Sequence, residues 1–244
     1  TTACVSSQVG CSLDCKFCAT AKIKRMRNLN MDEIYDQVKA MDQQSRYYYG
    51  RPLSNIVFMG MGEPLMNYKN IIASIEKITQ PNGLGISPSR ITVSTSGIPK
   101  MIMKMADDGV KFSLAVSLHS ARQSVREQLM PFAKKFTLNE LVTSIQYWYK
   151  KTSKPVTYEY IVWKKINDKK EDIDALVDLC KSTPCKVNLI EYNPIGENEF
   201  LQADNEAISD YRSALEANRI TATVRRSRGK DIDAACGQLA NKSI

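Results

Sequence analysis

Cys11-Ser-Leu-Asp-Cys15-Lys-Phe-Cys18 puts three cysteines on one short loop, with three and then two residues between them. Each can offer a thiolate to a single metal centre. A structural zinc site closes its tetrahedron with four ligands, and no fourth Cys or His lies within loop reach. Ordinary ferredoxin runs also bring four cysteines, so this loop is one ligand short. Three thiolates on a [4Fe–4S] cube leave one iron open, and an open iron can bind a substrate. On the residues alone, a partial zinc site or three unrelated thiols are the other readings.

Outward from this loop the chain repeats one pattern. Ala3 to Val9 reads as a strand running straight into the cysteines. A helix follows, with Asn30 and Glu33 spaced as a capping box and Ile34, Val38 and Met41 on one face. Tyr47-Tyr48-Tyr49-Gly50 is expected as a loop, then Asn55 to Met61 as a buried strand ending in glycine. Ile71, Ile75 and Ile78 mark a second helix, Arg90 to Ser94 a third strand, and Met101 to Ala106 a short helix closed by Gly109. Lys111 to Leu118 reads as the fourth strand, and Thr137 with Glu140 caps a helix whose face is Leu138, Leu141, Ile145 and Trp148. Strands are expected over Val156–Val162, Lys186–Tyr192 and Thr221–Arg225, with Ile173, Val177 and Cys180, then Ile208, Tyr211 and Leu215, on intervening helices. Repeated strand-then-helix units with apolar strands predict a parallel sheet covered by helices.

The 244 residues, 43% of them hydrophobic, suffice for one sizeable core without an evident linker or repeat. Seven cysteines, with no signal peptide and no transmembrane run, point to a reducing, cytoplasmic setting and away from the membrane. The net charge of +8 is concentrated in Lys22, Lys24, Arg25 and Arg27 and in Arg225, Arg226, Arg228 and Lys230. Such clusters suit a polyanion, nucleic acid above all, or else form solvated faces. The chain starts inside an apparent strand without Met, as part of a longer protein would.

The strand ends carry the informative residues. Gly60-Met-Gly62-Glu63-Pro64 has two glycines but no third, so it is not a dinucleotide fingerprint, although bare backbone lets a ligand approach closely. Ser94-Thr-Ser96-Gly97 clusters hydroxyls, and Ser117-Leu118-His119 carries the chain's single histidine, a cofactor contact or a structural imidazole. Asn193 follows the sixth strand. In Asp231-Ile-Asp-Ala-Ala-Cys236-Gly-Gln-Leu239, small neighbours leave the Cys236 thiol open, though composition alone equally permits a structural cysteine.

The cysteine spacing, with Phe17 before the third, resembles the radical SAM superfamily. That resemblance implies an α/β fold, a partial (β/α)6 TIM-like barrel with its site at the strand C-terminal ends. Cys4-Val-Ser-Ser-Gln-Val-Gly-Cys11, Gly60–Pro64, Ser94–Gly97, Ser117–His119 and Asp231–Gln238 together are similar to the RlmN/Cfr group, radical SAM enzymes that methylate adenine in RNA. Glu63-Pro64 and Ser94-Thr-Ser96-Gly97 look like the RlmN branch, which methylates carbon 2 in 23S rRNA and tRNA; the Cfr branch targets carbon 8. The resemblance implies that Cys11, Cys15 and Cys18 hold a [4Fe–4S] cluster and that Gly62, Glu63, Ser94, Ser117, Leu118, His119 and Asn193 line the S-adenosylmethionine site. It makes Cys236 the methyl-carrying cysteine and Cys4 the thiol that later closes a disulfide with it. It further implies a 5′-deoxyadenosyl radical, an electron donor such as flavodoxin or ferredoxin, and a monomer. Residues 1–244 are then the radical SAM catalytic domain, without the family's N-terminal helical domain. A radical SAM enzyme for a non-RNA substrate, with Cys236 structural, or a non-catalytic iron–sulfur RNA-binding module are the readings from other classes.

Overall fold

Apolar strands alternate with amphipathic helices in a computed structural model that describes residues 1–23, 25–196, 200–227, 229, 232 and 234–240. Lys24, Arg228, Lys230, Asp231 and Asp233, named above for charge or motif, lie outside the described residues. In chain order the elements are β1 (Thr2–Cys4), β2 (Gln8–Val9), β3 (Arg27–Asn28), α1 (Met31–Tyr49), β4 (Asn55–Phe58), α2 (Tyr68–Thr79), β5 (Ile91–Thr95) and α3 (Pro99–Asp107). They continue with β6 (Ser113–Ser117), α4 (Gln123–Leu129), α5 (Leu138–Thr152), β7 (Val156–Ile161), α6 (Lys170–Lys181), β8 (Cys185–Ile190), α7 (Asn205–Ala217) and β9 (Thr221–Arg225).

Seven strands form one parallel sheet in the order β1-β4-β5-β6-β7-β8-β9. A cavity of about 270 Å³ is lined both by Thr2 of β1 and by Arg225 of β9, so the sheet curls until its two edges face one lumen. The result is the expected partial barrel, with seven strands. Helix faces cover the outside: Ile34 and Val38 of α1, Ile71, Ile75 and Ile78 of α2, and Leu141, Ile145 and Trp148 of α5 join the main core with Ile56, Val93, Leu114 and Val187 of the sheet.

Both predicted capping boxes are present. Asn30 accepts from the Glu33 N–H at 2.9 Å while Glu33 accepts from the Asn30 N–H at 2.8 Å. The Thr137 hydroxyl accepts from the Glu140 N–H at 3.3 Å, and Glu140 accepts from the Thr137 N–H at 2.9 Å.

Two local expectations are corrected, and one helix is new. The strand foreseen over residues 3–9 is broken: β1 stops at Cys4, and the N–H groups of Ser7 and Gln8 both donate to the Met61 carbonyl, at 2.9 and 3.2 Å. This turns the chain away from the sheet so that β2 pairs antiparallel with β3. Tyr47, Tyr48 and Tyr49 are the last turn of α1, not a loop; Gly50 ends it in the left-handed conformation, its N–H donating to the Arg46 carbonyl. The sequence reading also has no counterpart to α4, which is seven residues long with no side-chain cap to announce it.

Candidate active site

The β2–β3 ribbon is the stalk of the cysteine loop, pairing Gln8 with Asn28 and Val9 with Arg27. Inside it the Cys11 N–H donates to the Ile23 carbonyl at 3.3 Å and the Cys18 N–H to the Cys15 carbonyl at 3.2 Å. The Lys16 N–H donates to the Leu129 carbonyl at 3.0 Å, which seats the loop on the end of α4. Cys11, Cys15 and Cys18 are free thiols packed against a second apolar cluster that includes Leu13, Phe17, Leu129, Met130 and Trp163. Burial pushes the Cys11 thiol up to about 11 and raises Cys15 well above the ordinary thiol range, and charge on Cys18 raises both. Thiols this close, unpaired and walled by apolar side chains suit a centre that takes them as thiolates. Among the described residues no three Cys, His, Asp or Glu side chains converge as ligands of one ion. A cube, whose cysteines each hold a different iron, does not ask for that convergence.

The β4 end is tied inward. Glu63, 2% exposed, accepts from the Thr95 hydroxyl at 2.7 Å and from the N–H groups of Ser96 at 2.7 Å and Leu65 at 3.0 Å. Burial raises its pKa against those bonds. The carboxylate thus clamps the β4 and β5 ends together, a role that residue type alone does not reveal. Gly62 has φ +95°, and a Cβ there would stand 2.5 Å from Gln8, whose side-chain oxygen accepts from the Glu63 N–H at 2.9 Å. This glycine is therefore required by the close passage of residue 8. Ser94 is buried on β5, Ser117 ends β6, and the buried Leu118 follows it.

His119 takes a left-handed φ of +58°. Its carbonyl accepts from Asn167 at 2.8 Å, and its Nδ1 accepts from the Ile161 N–H at 3.2 Å. An acceptor Nδ1 leaves the hydrogen on Nε2. Burial, helped by Arg126, lowers the imidazole to about 3, so it is neutral near pH 7. Its ring lies edge-on to Phe17 of the cysteine loop, 4.7 Å between centroids. Asn193 donates to the Cys236 carbonyl at 3.0 Å, and its side-chain oxygen is buried without a partner. Hydrogen-bond capacity left open in this way suits a polar ligand.

Between these strand ends lies a residue that sequence reasoning missed. Arg126 of α4 is 1% exposed. Its Nη2 donates to the Ser96 carbonyl at 2.7 Å, and its Nη1 donates to the carbonyls of Ser117, at 2.9 Å, and Leu118. Its Nε is buried without a partner among the described residues. Burial lowers its pKa to about 10, which leaves it cationic near pH 7. A lone arginine in a short, uncapped segment gives no signal of such burial.

Two further cysteines, Cys4 at the end of β1 and Cys236 near the other end of the chain, lie within electrostatic reach of each other. Four hydrogen bonds bring the C-terminal segment back to the cysteine loop and the β8 end. The Ala19 N–H donates to the Gly237 carbonyl at 2.8 Å, and the Thr20 hydroxyl to the Leu239 carbonyl at 2.5 Å. The Gln238 side chain donates to the Pro194 carbonyl at 3.0 Å, and the fourth is the Asn193 bond to Cys236. Cys236 and Cys4 are free and keep open surface, yet the surrounding walls make burial the leading cause that raises both thiols, Cys236 to about 12. Cys236 is near enough to Glu159, Cys18 and Cys4 for their charges to act on it, and Arg225 acts on both thiols. Glu159, 4% exposed, accepts from Asn188 at 2.8 Å and from Arg225 at 3.4 Å. A carboxylate inside the apolar run of β7 was a legible signal that the sequence reading passed over.

The basic clusters divide. Arg27 is engaged by Glu33 at 2.7 and 2.8 Å, and Arg225 by Glu159 in the lumen, while Arg25 and Arg226 are exposed.

Comparison with known proteins agrees with this geometry. The radical SAM superfamily pattern matches residues 5–180. The chain is 70% identical over 243 residues, all of this chain and 69% of the relative, to the probable dual-specificity RNA methyltransferase RlmN of Christiangramia forsetii. It is 69% identical to the protein of the same name from Flavobacterium psychrophilum, again over the whole chain and 70% of the relative. A crystal structure of a radical SAM methyltransferase from Sphaerobacter thermophilus superposes with a TM-score of 0.96 at 39% identity, covering 99% of this chain and 70% of that one. Identity at this level across the full chain, on a barrel that carries the three-cysteine loop, means that the chain belongs to the RlmN family of the radical SAM superfamily.

Proposed function

We propose that residues 1–244 are the catalytic domain of an enzyme that methylates carbon 2 of adenine in 23S rRNA and tRNA. Cys236 is the methyl carrier and Cys4 the thiol that releases the product. The observation that carries this reading is the return of the Cys236 segment onto the cysteine loop through the Ala19–Gly237 and Thr20–Leu239 hydrogen bonds, with Cys236 within electrostatic reach of both Cys4 and Cys18. Carbon 2 lies between two ring nitrogens and is electron-poor, so it cannot displace a methyl group from a sulfonium as a nucleophile. A protein-borne carrier removes that obstacle.

Cys11, Cys15 and Cys18 would hold a [4Fe–4S] cluster, and Ser94, Ser117, Leu118, His119 and Asn193, with the Gly62–Glu63 turn, would line the S-adenosylmethionine site. When bound, the cluster and S-adenosylmethionine supply one-electron reduction and hydrogen abstraction. The protein's own side chains do the rest. The Cys236 thiol would give its proton to solvent and, as thiolate, take the methyl group by direct displacement, a sulfur–carbon bond forming on Cys236 as the methyl–sulfonium bond breaks and the neutral thioether leaves. Once that carbon is joined to the adenine, the Cys4 thiolate attacks the Cys236 sulfur. A disulfide forms, the sulfur–carbon bond breaks, and its electron pair stays with the carbon leaving on the RNA. Neutral His119, with its hydrogen on Nε2, offers a donor to a ligand at the strand ends. An electron donor such as flavodoxin or ferredoxin, and a monomeric, cytoplasmic protein, complete the proposal. No helix among the described residues is long and apolar enough to cross a membrane.

Incubation of anaerobically reconstituted protein with methyl-labelled S-adenosylmethionine, followed by peptide mass spectrometry, tests the reading. Label on Cys236 is the expected result. An unlabelled Cys236 in protein that still forms 5′-deoxyadenosine would overturn the carrier and make the chain a radical enzyme of another kind.

A further inference from the structure

Buried cations are expensive unless an anion or a full set of acceptors meets them. Among the described residues the Arg126 guanidinium has no carboxylate partner: its acceptors are the backbone carbonyls of Ser96, Ser117 and Leu118, with Met130 Sδ at 3.5 Å. A neutral amide could bond some of those carbonyls without bringing a charge inside. The cation therefore exceeds what bracing the strand ends requires, and its buried Nε is left over as well. On the other side it adjoins the cysteine loop: Nη1 meets Met130 Sδ, and Met130 belongs to the apolar cluster against which Cys11, Cys15 and Cys18 pack. The backbone enforces the approach, because the Lys16 N–H is bonded to the Leu129 carbonyl, three residues along α4 from Arg126.

We propose that Arg126 is a positioning residue for the iron–sulfur centre: a fixed, buried cation beside the cysteine loop that offsets the negative charge of the thiolate-bound cluster and raises its reduction potential. This rests on the reading of Cys11, Cys15 and Cys18 as cluster ligands. A cube bound by three thiolates carries net negative charge, and reduction by a low-potential one-electron donor adds one more. A cation held nearby in a poorly solvated site lowers the free energy of the reduced form more than that of the oxidised form. Cluster potentials respond to surrounding charge and hydrogen bonding. Arg126 also bonds the Ser117 and Leu118 carbonyls at the end of β6, so one side chain links the cluster loop to the proposed S-adenosylmethionine site.

The test is a potentiometric titration, followed by electron paramagnetic resonance, on the reconstituted full chain as wild type, Arg126→Gln and Arg126→Lys, with iron counted in each. Gln keeps donors for the carbonyls and removes the charge; Lys keeps the charge and loses the fork. The expected result is a shift to more negative potential in Arg126→Gln, most of it recovered in Arg126→Lys. An unchanged potential in an Arg126→Gln protein with full iron overturns the proposal. If Arg126→Gln fails to fold or to hold iron, Arg126→Lys decides: near wild-type iron and potential support the fixed cation, whereas the same failure shows Arg126 to be only a brace. Wild-type protein that takes up no cluster would instead sink the reading of the three cysteines beneath it.

Discussion

Two arginines on the inner side of this half-barrel meet opposite surroundings. Arg126, at the C-terminal ends of β5 and β6, is enclosed; it donates to carbonyl oxygens and the Met130 sulfur, and its guanidinium lies 6.0 Å from the centre of the Phe132 ring. Arg225, in the lumen, leaves 46% of its side chain exposed and pairs with the Glu159 carboxylate, itself bonded by Asn188. The lumen pair is neutral as built. The end beside the cysteine loop sets the buried Arg126 cation and the buried Glu63 carboxylate on opposite sides of Ser96, next to apolar walls and the three thiols. On the proposed reading the two ends do different work: the Arg126 cation accommodates added negative charge at the cysteine loop, and the lumen keeps a balanced polar wall near Cys4 and Cys236.

The largest expected effect comes from removing the anions at the cluster end. Cys11→Ala, Cys15→Ala and Cys18→Ala should each abolish formation of 5′-deoxyadenosine under reducing, anaerobic conditions. Radical chemistry surviving any one of these changes would end the distinction between the two ends.

At the lumen mouth, Cys236→Ala and Cys4→Ala should fail differently. Without the carrier no methylated protein and no RNA adduct form. Without Cys4, loading and addition proceed but the thioether bond persists, so a denaturing gel with radiolabelled RNA should show a shifted covalent band. Release of methylated RNA at the normal rate from Cys4→Ala would make Cys4 a plain strand residue.

Glu159→Gln sharpens the comparison on the stability side. It keeps a partner for Asn188 and leaves Arg225 unpaired but still half-solvated, so the loss should be modest, about 1 kcal/mol in urea denaturation. A much larger loss would mean that the lumen charges are as enclosed as Arg126.

The smallest effect is expected on the surface. Arg27 and the Asn30 N–H hold the Glu33 carboxyl down to about 2, against an ordinary 4.5. A depressed carboxylate contributes stability above its unfolded pKa and loses it as the pH falls through the folded value. The difference in melting temperature between wild type and Glu33→Gln should therefore be largest near pH 7 and shrink from about 4.5 toward about 2. A gap that does not change with pH would mean that the ion pair adds nothing beyond the helix cap.

Much of this molecule was legible in the chain itself, because the signals are local. Spacing within eight residues defines the cysteine loop, side-chain caps three residues apart start α1 and α5, and apolar runs mark the sheet strands. Resemblance of short motifs pointed to the family that the comparisons establish. What only the tertiary structure decided depends on residues distant in sequence. Whether Glu63 faces a ligand or clamps two strands depends on Thr95 and Ser96, more than thirty residues away. The return of Cys236 to the cysteine loop depends on bonds such as that from Thr20 to Leu239, 219 positions apart. The enclosure of Arg126 depends on three strand-end carbonyls converging where α4 crosses them. Burial and electrostatic environment are properties of that convergence: an arginine's letter fixes its charge, and only packing decides whether water or a thiolate will answer it.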